Sequence, residues 1–369
     1  MSGIDVYTPS LALHYLGIGI KRPGMVGPVS PTVFPRYKDY DPSLKIGTDK
    51  NQGHMGMDTI DISNDRNKAE ANPSFEDTFR FAEGLEDFLF LLTGSYDEPV
   101  PAITGALTAK KYRFYLNALN PVDLPRATIL QGYNWKTAKA ELYDDVVVNS
   151  MEFTLDRTDT PTFKADTVSN YPLFNQTEPT RVFPPVEYRL KASQGRVYLA
   201  DVGDSLATIK ASEPLDYTKC TAEFKNNVEA SDAGEYGKPK KDKKPFEGTV
   251  KITTAFTEAL MPLEAEYNTG SATGTHVTEE SVYKQVYIEY LGRKIETVGE
   301  VDVLTSMGIL IPKLDLTDVS SPKAGDDSKD LTIEGDIMSN GISNPYEISL
   351  VSPLADLHFS ETEYPLITA

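Results

Sequence analysis

Residues 138–168 read AKAELYDDVVVNSMEFTLDRTDTPTFKADTV, and this stretch decides the fold. From Val147 to Leu155 the odd positions are Val147, Asn149, Met151, Phe153 and Leu155, while the even ones are Val148, Ser150, Glu152 and Thr154, with Asp156 next. Successive side chains of a strand point to opposite faces, so this period of two marks a half-buried strand. Thr158-Asp159-Thr160-Pro161 breaks the run, and Thr162 to Thr167 resumes it, with Phe163 and Ala165 against Lys164 and Asp166. The pattern predicts a β-hairpin with one dry and one wet face.

Composition extends that reading to the whole chain. Its 369 residues are ample for a substantial core, and 20 Tyr, 15 Phe, 25 Gly and 25 Pro point to a β-rich globular protein. With 36 Lys+Arg against 55 Asp+Glu the formal charge is −19. That balance argues against tight binding of nucleic-acid phosphate, where basic surface supplies most of the affinity, and leaves room for a surface that repels it. Cys220 is the one cysteine, so an intrachain disulfide and a thiolate metal cluster are both excluded. The opening apolar run lacks a basic flank and is too short to span a bilayer. Synthesis in the cytoplasm, with no membrane insertion by this chain, is the expectation.

Outward from the hairpin, residues 1–73 are interrupted by Pro23, Gly27-Pro28, Pro31, Pro35 and Pro42 and read as arms and loops around a few short strands. A helix is predicted over about 74–93: Ser74 offers an N-cap, Phe75, Phe79, Ala82, Leu85, Leu89 and Leu92 recur at helical spacing, and Gly94 stops it. From Ala109 onward nearly every segment reads as strand. Residues 170–185 carry four prolines and form a connection rather than a central strand. Trp135 reads as a core or loop anchor. Cys220, Ala222 and Phe224 alternate with polar residues up to Asn226-Asn227, a natural turn or bulge. Gly234 to Pro245 is a basic loop bearing Lys238, Lys240, Lys241, Lys243 and Lys244, read as solvated or in salt contact with an acidic neighbour. Ile309 to Lys313, Leu331 to Glu334 and Ile348 to Val351 continue the strand pattern, and the last residues read as a tail.

Signatures of chemistry are missing from the pattern. His14, His54, His276 and His358 are scattered without a metal-binding spacing, and neither a nucleophile elbow nor a phosphate loop occurs. Asp144-Asp145 and Asp326-Asp327 are not set in a calcium-loop pattern. Cys220 fits a packed small residue better than a nucleophile. No catalytic, cofactor-binding or metal-binding residue is assigned, and no cofactor is expected.

The order of the blocks resembles the major tail tube proteins of long-tailed bacteriophages. The resemblance runs from about Ala138 to Val351. It rests on Val147-Val148-Asn149-Ser150-Met151-Glu152-Phe153 with its partner at Thr162 to Thr167, on Ala222-Glu223-Phe224-Lys225-Asn226-Asn227-Val228-Glu229, on Gly248-Thr249-Val250-Lys251-Ile252, and on the closing strands at Ile311-Pro312-Lys313, Leu331 to Glu334 and Pro345 to Leu350.

That resemblance implies a mainly β chain, a β-sandwich or open barrel with one flanking α-helix and extended arms. It implies a single tail-tube domain over 1–369, with 1–73 as the arm-rich part; 170–218 departs from the family pattern, being longer than a simple tube domain needs, and an added loop or small subdomain on the outside would account for it. It implies a non-enzymatic virion protein, made in the host bacterial cytoplasm and located in the tail. Its partners would be copies of itself in stacked hexameric rings, the tape-measure protein inside, and tail-tip and tail-terminator proteins. Double-stranded DNA would pass through without sticking. Glu152, Asp156, Lys164 and Asp166 are then candidates to face the channel, and the basic loop at Lys238 to Lys244 to contact the next ring. A tail-fibre or adhesin component binding a host glycan, and a tail-spike enzyme with converging carboxylates, are the alternatives.

Overall fold

The computed structural model describes residues 14–41, 44–53, 60–116, 123–133, 139–177, 179–180, 188–235, 238–320, 330–339 and 344–366. The first third runs β1 (His14–Lys21), β2 (Asp39–Asp41), β3 (Leu44–Gly53), β4 (Ile60–Ala71), β5 (Ser74–Thr78), β6 (Arg80–Phe81), helix α1 (Leu85–Thr93), β7 (Tyr96–Pro101) and β8 (Lys110–Tyr115). The middle holds β9 (Ala127–Tyr133), β10 (Lys139–Asp156), β11 (Thr162–Val168), β12 (Leu173–Thr177), β13 (Tyr188–Asp201), α2 (Leu206–Ala211), β14 (Tyr217–Lys225), β15 (Val228–Glu235), β16 (Lys238–Lys243) and β17 (Glu247–Ala255). The last third holds α3 (Met261–Thr269), β18 (Tyr283–Val298), β19 (Val301–Ser320), β20 (Asp330–Ile337), β21 (Glu347–Ser352) and β22 (Phe359–Ser360).

The predicted hairpin is the centre of the large sheet. Phe153 stands opposite Phe163 and Met151 opposite Ala165. From it the antiparallel ladder continues through β5 to β2 on one side and through β14, β17 and β20 to β19 on the other. The 20 residues of β19 pair with β20 through their second half and with β21 through their first, and β18 lines the opposite edge. β21 passes the ladder to β8 and β7, and β18 passes it to β13. The sheet is open: among the described residues the outer edge of β13 meets the two-residue β6 and a single bridge from Leu215 to Val197.

A smaller sheet, β22-β1-β9-β10-β12, shares β10 with the large one. The sharing works because β10 is bulged. Its register against β9 slips between Tyr143 and Val146, where Asp145 adopts a φ of 53°. A bulge adds an unpaired residue and bends the strand, so the two halves of β10 serve two sheets.

Dry faces meet around α1. Phe88 on the helix stacks on Phe75 of β5 at 4.8 Å, and Phe79, Phe153, Phe224 and Tyr346 continue the aromatic contacts at 5.6, 5.6 and 4.3 Å. Each fully buried Phe or Leu contributes roughly 1.5–3 kcal/mol, so Leu85, Phe88, Leu89, Leu91 and Leu92, all buried, fix α1 on the sheet. Gly94 ends the helix at φ 75°, its N–H bonded to the Phe90 carbonyl. The Asn226 amide, fully buried, donates to Leu92 O at 2.8 Å and Val148 O at 3.1 Å, tying the helix end to β10.

Several expectations are corrected. The helix does not begin at Ser74: residues 74–81 are the strands β5 and β6, and α1 starts at Leu85 after a turn with Gly84 at φ 107°. The reason is a period of two that coexists with the helical one, because Phe75, Asp77, Phe79 and Phe81 alternate with half-exposed residues and are themselves buried. α1 is also joined by the short helices α2 and α3. Within the N-terminal part, β1 is a core strand with Leu16, Ile18 and Ile20 buried. Within 170–218, β13 is a ladder strand of the large sheet with Val197 buried. The chain end is not a free tail, since Leu357, Ser360 and Tyr364 are buried and β22 pairs with β1. Trp135 and Asp326-Asp327 lie outside the described residues.

Candidate functional site

The wet face of the large sheet is where chemistry accumulates. Strand register aligns its side chains in rows, because every second residue of each strand points the same way. One row crosses eight strands: Asp39, Glu76, Lys164, Glu152, Glu223, Thr249, Asp336 and Asp315. Toward one end follows Asp41, Ser74, Asp166, Ser150, Lys225 and Glu247. Toward the other come Thr78, Thr162, Thr154, Thr221, Lys251, Glu334 and Asp318, and then Asp156, Lys219, Thr253, Thr332 and Ser320. These four rows hold twelve carboxylates against four lysines. The excess of eight is a large part of the net −19 of the chain, so its acidity is concentrated here rather than spread evenly.

All four predicted residues, Glu152, Asp156, Lys164 and Asp166, lie on this face. Lys164 pairs with Asp166 at 3.1 Å, Lys225 with Glu223 at 2.9 Å and Lys251 with Glu334 at 3.0 Å, so the lysines of the face are largely committed to its own acids. Asp156 accepts from the Thr158 N–H at 2.8 Å and hydroxyl at 2.7 Å, bonds that favour the ionised form and hold its pKa below the ordinary carboxylate value. The alternation that placed Glu152 also existed in β14, β17 and β20. What the pattern alone did not supply was the register that sets Glu223, Asp336 and Asp315 in line with it.

Two hairpins leave the sheet at the end marked by Ser74, Asp166 and Lys225. β3 and β4 continue the β2–β5 register outward, from Asp41 opposite Ser74 to Leu44 opposite Ala71, and pair only with each other. Ten residues of strand extend about 33 Å. The predicted basic loop is a hairpin too, β15–β16, with Val228 opposite Lys243. Its entry turns at Asn227, φ 49°, and Val228 N–H donates to the Asn149 side chain at 2.6 Å. Lys240 pairs with Asp242 at 2.8 Å and Lys244 pairs with Glu229, whereas Lys241 turns inward to the amide of Asn170 at 2.7 Å.

Buried charge is satisfied structurally. Lys21 holds Asp144 and Asp145, each at 2.7 Å, and Arg126 adds a second contact to Asp145 at 2.6 Å, so the bulge acids are ion-paired. Asp87, fully buried on α1, accepts from the His358 N–H at 3.0 Å and meets its ring at 2.7 Å. Burial alone would lower the His358 pKa, but the Asp87 charge and hydrogen bond outweigh it and the pKa is raised. Cys220 is buried, and burial pushes its thiol up to about 12, away from nucleophilic character. A cavity of about 650 Å³ between Lys21, Arg22, Phe90, Tyr96, Arg126 and Phe359 has its cations already engaged with Asp145 and Glu361. Among the described residues no cluster of His, Cys, Asp and Glu could hold a metal ion, and no helix is long and apolar enough to cross a membrane.

No protein-family model matches the chain, and no curated protein matches it in sequence.

Proposed function

We propose that this chain is the structural subunit of a phage-type tail tube, with the acidic face of the large sheet turned toward the channel. The observation that carries the proposal is the concentration of acids on one sheet face, in rows continuous across five to eight strands. A wall of that sign repels DNA phosphate. A basic wall would instead gain counterion-release affinity and hold the strand in place. Lining residues need no catalytic geometry for this task, and the buried Glu86 and Asp87 and the half-buried Asp144 are occupied within the fold.

The open sheet leaves edges at β2 and β7 for neighbouring copies in a ring, an arrangement that also protects those edges from uncontrolled pairing. A two-stranded hairpin is marginal alone in water, so β3–β4 gains its stability by packing on another subunit, as the arm that joins successive rings. The basic hairpin β15–β16, leaving from the same end, is the second contact, through Lys240 and Lys244. The tape-measure protein would occupy the channel before DNA, and tip and terminator proteins would close the two ends.

Electron microscopy of the purified protein before and after concentration tests the proposal. Rings or hollow tubes are the expected result. Compact trimers would instead support a fibre or adhesin, and a stable monomer that turns over glycans would overturn the tube reading.

A further inference from the structure

The inward turn of Lys241 creates a juxtaposition with its own chemistry. Asn170 follows β11 and is buried, and its main chain is held at both ends, N–H to Asp144 O at 2.9 Å and carbonyl to the Ser169 hydroxyl at 2.9 Å. The Lys241 amine sits 2.7 Å from its side-chain oxygen. The amide carbon therefore lies at most one carbonyl bond, about 1.2 Å, beyond that contact. An amine held this close to an amide carbon whose own backbone is anchored resembles a bimolecular reaction made intramolecular, where positioning supplies much of the rate.

From this geometry we infer that Lys241 and Asn170 form an intramolecular isopeptide bond, which staples the β15–β16 hairpin to the end of β11. The lone pair of Nζ attacks Cγ, the Nζ–Cγ bond forms and the Cγ–Nδ2 bond breaks. One proton shed by Nζ passes to Nδ2, which leaves as ammonia, and no oxidant or other co-reactant is needed. Reaction requires the neutral amine. Burial supplies it by lowering the Lys241 pKa to about 8, against the opposing pull of Asp145 and Asp144. Asp145, fixed between Lys21 and Arg126, acts on the Lys241 amine electrostatically. With one cysteine the chain has no intrachain disulfide available. The inference does not rest on the tube reading.

Intact mass spectrometry of the full chain tests it, with the Lys241→Arg variant prepared in parallel as the uncross-linked reference. The expected result is a wild-type mass lower than its sequence by one ammonia, and a branched tryptic peptide joining the segments of Asn170 and Lys241. The variant should have its full sequence mass, linear peptides and an unchanged circular dichroism spectrum. Asn170→Asp should close the same bond with loss of water. Wild-type protein that keeps its full mass and linear peptides, even after incubation on the alkaline side of the Lys241 pKa, overturns the inference whatever the variants do.

Discussion

The two faces of the large sheet come from the same strands and do opposite things. On the dry face Phe75 and Phe163 pack on Phe88 of α1 while Phe153 and Phe224 pack on each other, and the cost of altering any one of them is high because interiors are close-packed. On the wet face Glu152 and Glu223 are half-buried and Asp336 is exposed, and changing one such surface residue costs little stability. A surface that adds nothing to stability and still concentrates one sign of charge asks for a functional explanation. The dry face asks for none beyond folding.

Substitutions can sharpen that contrast, beginning with the largest effect. Phe153→Ala should lose about 3–5 kcal/mol of unfolding free energy, read from denaturant midpoints, since the side chain is fully buried between Phe79 and Phe224. Asp87→Ala should lose about 2–3 kcal/mol, because it removes a charged acceptor and strands the His358 ring and N–H. This pair also carries a pH dependence. The folded His358 pKa is raised above its ordinary 6.5, so its contribution is complete below about that pH and is lost as pH climbs through the raised value. Thermal melts across this window should show stability falling with rising pH in the wild type and a flatter profile in Asp87→Ala.

Gly94→Ala should cost about 1 kcal/mol, since it forces a Cβ into the left-handed helix stop at φ 75°. Glu152→Lys combined with Asp156→Lys should change stability by less than about 1 kcal/mol and leave tube assembly intact, while slowing DNA delivery. Equal delivery by the charge-reversed tube would place this face on the outside.

How far the sequence alone reaches is clear from particular residues. Met151, Phe153 and Leu155 against Glu152, Thr154 and Asp156 defined the central hairpin because a half-buried strand writes its two faces directly into the period. Gly94 marked the end of α1 because few residues but glycine accept its backbone. The start of the helix was misread because Phe75 and Phe79 satisfy a period of four as well as of two, and only pairing with β11 decides between them. Strand character at Arg196 to Ala200 was legible past the proline-rich connection, but the place of β13 in the large sheet was not, since it depends on β18, far along the chain. The acidic face was visible in four residues of one hairpin and invisible as a surface, because rows across strands are fixed by register. The contact between Lys241 and Asn170 was likewise out of reach, being set by where a hairpin folds back.

The central claim is the orientation of that face, and a cryo-electron microscopy reconstruction of the assembled protein tests it most directly. The account predicts a hollow assembly in which the row through Glu76, Glu152, Glu223 and Asp336 borders the channel. A reconstruction that puts this row on the outer surface, with a basic or apolar wall inside, would contradict it.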